Sequence, residues 1–202
     1  MKGSTHAVIG ANTVWIISLF SGFSGNPFLL IAGAFGGLLP DLDASDAKIK
    51  HLEIGYGKGR NRMAIKPFYL PSMIISSLFK HRGILHSFLA VILVGWGSYW
   101  LFLFLSQWVS FLAQEFWMVL TLGYFSHLVA DGITHHGVPL LWPWNRNIHL
   151  LPRLLRFRTG SFMETVIFIV LLLTLGLFVL SSYQSLNLSG LVLLNSSRNV
   201  LY

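Results

Sequence analysis

Gly123-Tyr124-Phe125-Ser126-His127-Leu128-Val129-Ala130-Asp131-Gly132 closes an apolar run that begins near Phe116, and it carries a His and an Asp four residues apart. In a helix, residues i and i+4 share a face about one turn apart, so His127 and Asp131 are predicted to point the same way. An imidazole nitrogen beside a carboxylate oxygen is half of a metal site. It is equally a His–Asp hydrogen bond, the commoner arrangement for an isolated His-x-x-x-Asp. The positions of the other His and Asp residues decide between the two, and most of them flank apolar runs.

The composition sets the environment. Of the 202 residues, 54% are hydrophobic and 10% charged, and the mean hydropathy is +0.66. An ordinary soluble domain carries roughly 25% charged residues, so the chain reads as one membrane-embedded unit. Cysteine is absent, which excludes disulfides, thiolate metal sites and a Cys nucleophile. Any metal must be held by His, Asp, Glu or water. The net charge of +7 is explained first by membrane orientation and anionic head groups. No base-reading motif is present, so nucleic acid is not the expected partner. The first residues do not read as a cleaved signal, because a single Lys precedes the apolar run and cleavage would discard His6.

Upstream, Ser4 or Thr5 is placed to cap a helix starting near His6. Ala7–Phe23 and Phe28–Leu39 are apolar arms separated by the turn Ser24-Gly25-Asn26-Pro27. Each is short against the ~20 residues that cross a ~30 Å hydrocarbon core. A tight helical hairpin is expected, with a re-entrant second arm as the alternative. Pro40-Asp41-Leu42-Asp43 follows, placing two carboxylates at the mouth of an apolar segment, where they need pairing, solvation or a cation. Residues 44–80 are basic; Gly55–Gly59 reads as a flexible loop and Pro71–Phe79 as an interfacial helix. His81-Arg82-Gly83-Ile84-Leu85-His86-Ser87 opens the next apolar run, to about Leu105. His81 and Arg82 are expected in its approach loop and His86 in its first turns.

Downstream of Asp131, the loop Ile133–Gly160 holds His135, His136, Trp142-Pro143-Trp144 and four Arg residues. Trp beside Arg next to apolar spans is the usual interfacial belt. The last span, Phe162–Leu180, carries Glu164 in its first turn, either as a functional carboxylate or as a helix-dipole partner. The expected fold is all-α, a polytopic membrane bundle of four to five transmembrane helices. Its domain covers 1–181, with basic loops at about 41–82 and 132–160 and a tail over 182–202.

Thirteen of the fourteen Lys and Arg residues fall before the first span or in the two large loops, leaving Arg198 in the tail. The positive-inside rule makes those segments cytoplasmic. His6, Asp41, Asp43, His81, His86, His127, Asp131 and Glu164 then lie at or near cytoplasmic ends of spans. Residues from five segments are expected to converge at one depth.

With these motifs in view, the chain resembles the bacterial inner-membrane-associated, metal-dependent hydrolases linked to LexA regulation and hence to the SOS response. The resemblance rests on Thr5-His6, Leu38-Leu39-Pro40-Asp41-Leu42-Asp43, the His81–Ser87 motif, Gly123–Asp131, Gly137-Val138-Pro139-Leu140-Leu141-Trp142-Pro143 and Gly160…Glu164. These cover most of residues 5–165 in the same order. Leu85 stands where the family usually has Thr, and Ala44 where it usually has His. The family's hydrolase label itself resembles an inference from motif likeness to zinc-dependent phospholipases C.

A metal-dependent hydrolase of phosphoesters at the cytoplasmic membrane surface is therefore the leading expectation. His6, Asp41, His86, His127 and Asp131 are the expected ligands of Zn or Mn, with one ion or two. Asp43 or Glu164 is the remaining ligand or the base that takes a proton from water. Arg82 and His81 would neutralise a phosphoryl oxygen. Membrane lipids and a phosphate-containing substrate are the expected partners. The competing expectation is a non-enzymatic membrane protein whose His/Asp cluster holds a structural metal or handles ions or protons.

Overall fold

The computed structural model describes residues 1–21, 27–43, 54–56, 63–67, 69–70, 73, 83–109, 114–144 and 146–198. Among them are five α-helices: α1 (Gly3–Ser21), α2 (Pro27–Gly36), α3 (Phe88–Ser106), α4 (Phe116–Gly132) and α5 (Phe162–Arg198). Short 3-10 turns cover Leu39–Asp43, Ile84–His86 and Arg153–Leu155. The basic segment contributes a small antiparallel pair, β1 (Ile54–Tyr56) and β2 (Met63–Ile65), with Ile54 opposite Ile65. The expected loop Gly55–Gly59 thus begins inside a strand. The expected interfacial helix at 71–79 lies outside the described residues except for Met73.

Helices α1, α2 and α4 pack against one another, α3 lies on α4, and α5 lies on α1. Val14, Leu29, Ala32 and Val119 are buried where the first three meet. Gly33 shows why they come so close. A Cβ there would run into the Gly10 carbonyl and the Val14 side chain, while Gly123 of α4 abuts the Gly33 backbone from the other side. Lipid tails are as apolar as leucine, so helices in a bilayer associate through such close backbone packing. A second cluster, Ala90, Tyr124, Leu128 and Val138, joins α3, α4 and the loop beyond α4. Polar links add register: Asn12 Nδ2 donates to the Leu171 carbonyl (2.9 Å), and Thr174 Oγ1 donates to Asn12 Oδ1 (2.8 Å). These tie α1 to α5.

The expected all-helical bundle is present, and among the described residues length and composition support two of the expected four to five spans. Two helical stretches, α3 and Phe162–Tyr183 of α5, are long and apolar enough to cross a membrane. Helix α2 has ten residues, about 15 Å at ~1.5 Å per residue. Asn12, Thr13 and Ser18 interrupt α1, while α4 holds Ser126, His127 and Asp131. Helices α1, α2 and α4 form the packed inner part of the bundle around a polar cluster. The expected tail is also helical, since α5 runs on to Arg198. Beyond α4, the loop doubles back on itself: Val138 and Ile148 exchange backbone hydrogen bonds of 3.0 and 2.8 Å. The Leu150 N–H donates to the Gly132 carbonyl (2.8 Å), and the Phe88 N–H to the Leu140 carbonyl (2.9 Å).

Candidate metal centre

Four separate pieces of chain supply the cluster. Helix α4 presents His127 and Asp131 one turn apart, and α1 presents His6 in its first turns. The turn Leu39–Asp43 supplies Asp41, and the turn Ile84–His86 supplies His86. Local chemistry sets each. Ser87 accepts a hydrogen bond from the Ala90 N–H (3.3 Å) as the N-cap of α3, so the chain enters the helix just after His86. The Tyr124 hydroxyl, from α4, donates to the Leu85 carbonyl and holds that turn against the site.

The donors form two triads that share His127: His6, His127 and Asp131, and Asp41, His86 and His127. Within each triad, one ligand atom per residue lies within 4.8 Å of the others. His6 Nε2 is 3.3 Å from Asp131 Oδ1, and His127 Nε2 is 4.0 Å from Asp131 Oδ2. Asp41 Oδ1 is 3.7 Å from His127 Nε2 and 3.8 Å from His86 Nε2. A tetrahedral shell with bonds of ~2.1 Å has edges of about 3.4 Å, so these separations fit a common cation.

The side chains of His6, His86, His127 and Asp131 are buried, whereas the Asp41 side chain is 22% exposed. The cluster therefore opens on the Asp41 side. His127 Nδ1 lies 2.7 Å from the Gly37 carbonyl, which accepts its N–H and fixes the tautomer. Nε2 is left with its lone pair toward the carboxylates and without a hydrogen-bond partner among the described residues. This is the usual outer support of a metal-ligating His. The His6 and His127 rings stack, with centroids 3.6 Å apart. The Met1 nitrogen lies 2.7 Å from Asp131 Oδ1.

Burial alone pushes the Asp41 carboxyl up, yet the His86 side chain and the His127 and His6 imidazoles outweigh it and hold it at about 2. Asp41 is thus ionised across the physiological range. Two carboxylates enclosed in one cluster are costly without a compensating cation, and the donor set fits a divalent one.

The remaining candidates separate. Glu164 is buried, and both its oxygens are engaged. Oε1 accepts from the Lys2 N–H (2.5 Å) and Thr5 Oγ1 (3.0 Å), and Oε2 accepts from the Gly160 N–H (2.5 Å). It closes the N-terminus of α1, the place expected for Ser4 or Thr5. Asp43 ends its 3-10 turn, but its side chain lies outside the described residues, as do His81 and Arg82. His135 and His136 are exposed on the loop beyond α4 and stand outside both triads. Sequence reasoning missed the Gly37 carbonyl; its only sequence signal is the paired glycine before Pro40, 90 residues from His127.

Among known proteins, Bacillus subtilis YvsG is 30% identical over 168 residues, covering 83% of this chain and 87% of YvsG. The inner membrane protein YdjM of Escherichia coli is 38% identical over 89 residues, 38% of each chain. No solved structure matches. The family model described as YdjM inner membrane protein matches residues 1–195, and the chain belongs to that bacterial inner-membrane family.

Proposed function

We propose that this protein is a metal-dependent hydrolase of the bacterial inner membrane, acting on phosphoesters at the cytoplasmic face. One observation carries the reading: five His and Asp side chains from four distant pieces of chain meet in two triads with ligand-compatible spacing. A shell of imidazole and carboxylate, without thiolate, suits Zn or Mn. An ion held by these residues would supply Lewis-acid polarisation and activation of water.

The chain's own residues do the rest. Gly37 orients His127 through its carbonyl, and Tyr124 braces the His86 turn. Asp41, the exposed edge of the cluster, marks where water and substrate enter. Glu164, saturated with donors, positions the first turn of α1 and hence His6. That leaves Asp43 as the proton acceptor and Arg82, with His81, to meet a phosphoryl oxygen. The basic loops orient this end toward the cytoplasmic leaflet and gather anionic substrates. The link to LexA and the likeness to zinc phospholipases C rest on the motif resemblance alone.

A second reading, a structural or ion-handling cluster, is favoured by the enclosure of four of the five donors. Metal analysis of detergent-purified protein, with His127→Ala and Asp41→Asn beside it, tests the centre. Stoichiometric Zn or Mn in the wild type, diminished in both variants, is expected; a metal-free wild type overturns the reading. Hydrolysis of phosphodiester and phospholipid substrates, lost in the same variants, then separates enzyme from structural site.

A further inference from the structure

We infer that the loop beyond α4 is a docking surface for anionic phospholipid head groups, with the turn Arg153–Leu155 as its inserted tip. Hydrogen bonds fix where this loop lies. The Phe88 N–H, which opens α3, donates to the Leu140 carbonyl (2.9 Å), and the His135 N–H donates to the Phe157 carbonyl (3.1 Å), just before α5 begins. Helix α3 and the first part of α5 are the two stretches long and apolar enough to cross a membrane. The loop therefore sits at the level where both would enter it, and its outer face meets the head-group region.

That face is apolar at its tip. Leu154 is 96% exposed and Leu155 64%, and Trp144 of the same loop is 72% exposed. The Leu155 N–H donates to the Pro152 carbonyl (3.0 Å) and Arg156 Nε to the Leu151 carbonyl (2.8 Å), so a hydrogen-bonded turn presents the two leucines. An exposed apolar patch with a polar rim marks a protein or a membrane contact, and here the rim's charge decides. Arg146, Arg153 and Arg158 are exposed around the patch, and the sequence holds no acid between Asp131 and Glu164. Glu164 is itself taken by three donors. A guanidinium fork matches a phosphate, while the leucines below it enter the boundary between head groups and acyl chains. An anionic head group lacks the cation that competes for its phosphate in a zwitterionic one, so the rim selects the anionic lipid. A second copy docking through the same face would oppose arginine to arginine.

The absence of cysteine makes the test direct, because Leu154→Cys gives the full chain a single thiol for a bimane fluorophore. The labelled protein is reconstituted into phosphatidylcholine vesicles with phosphatidylglycerol as the minor component, and bromine is placed on the acyl chains of one lipid or the other. Brominated phosphatidylglycerol should quench the label several-fold beyond its share of the mixture. Arg153→Gln with Arg158→Gln should remove most of that excess, since one basic residue near an anionic surface is worth about fivefold. A label on Trp144→Cys repeats the readout from a second position should the first variant fail to fold. Quenching by each lipid in proportion to its share overturns the anionic selection. No quenching by either lipid leaves the tip in water and overturns the docking surface itself.

Discussion

Replacing Glu164 with Gln should loosen the cluster from outside it. The carboxylate takes three donors: Lys2 N–H and Gly160 N–H at 2.5 Å, and Thr5 Oγ1 at 3.0 Å. A hydrogen bond to an ionised group contributes about 1.5–3 kcal/mol, and a neutral acceptor is worth roughly half as much. Gln keeps one oxygen and turns an N–H toward a donor at the other. One bond is therefore lost outright and the others weaken, a destabilisation of about 3 kcal/mol. The loss falls on the first turn of α1, one residue from His6. Metal affinity should drop about 10- to 100-fold, the usual range for an outer support. Chelator competition in detergent reads the affinity, and a thermal melt of the metal-free protein reads the stability. Thr165→Ala, at an exposed neighbouring position, should change either by no more than about 0.5 kcal/mol. Wild-type affinity and melting in Glu164→Gln would refute the reasoning, since Glu164 would then hold nothing that matters to His6.

Two more outcomes follow from the packing and the charges. Gly33→Ala should destabilise the bundle by at least about 1–3 kcal/mol, because the new methyl meets backbone and has nowhere to go. Gly97→Ala, with nothing within 4 Å, should be neutral or stabilising in the same melt. On acidification, metal should be lost through protonation of the imidazoles, so affinity falls as pH falls. Asp41 stays ionised down to about 2, so Asp41→Asn should weaken binding without changing the pH slope between about pH 5 and 8. A flattened slope in isothermal titrations would refute that assignment.

Much of the cluster was legible because its parts are local. His127 and Asp131 share a face through helical spacing, and Asp41 follows a proline that ends an apolar arm. The role of Glu164 was not legible. Its partners, Lys2 and Thr5, lie 162 and 159 residues away, and a carboxylate in a first turn reads equally as dipole partner, ligand or base. The number of crossings was not legible for a related reason. Apolar composition marks α1, α2 and α4 alike, but it does not distinguish a face packed on neighbours from one turned to lipid.

The one-dimensional pattern was enough to establish a lipid-embedded helical chain, thiol-free, with its basic residues gathered in a few segments between apolar runs and its acids and imidazoles at the ends of those runs. These follow from composition and short-range periodicity, which act residue by residue. Only the folded chain decided that Gly10, Gly33 and Gly123 bring three helices into backbone contact, and that His6 and His86 both reach His127. Those facts depend on contacts between segments far apart in sequence, and short-range periodicity carries no record of such contacts.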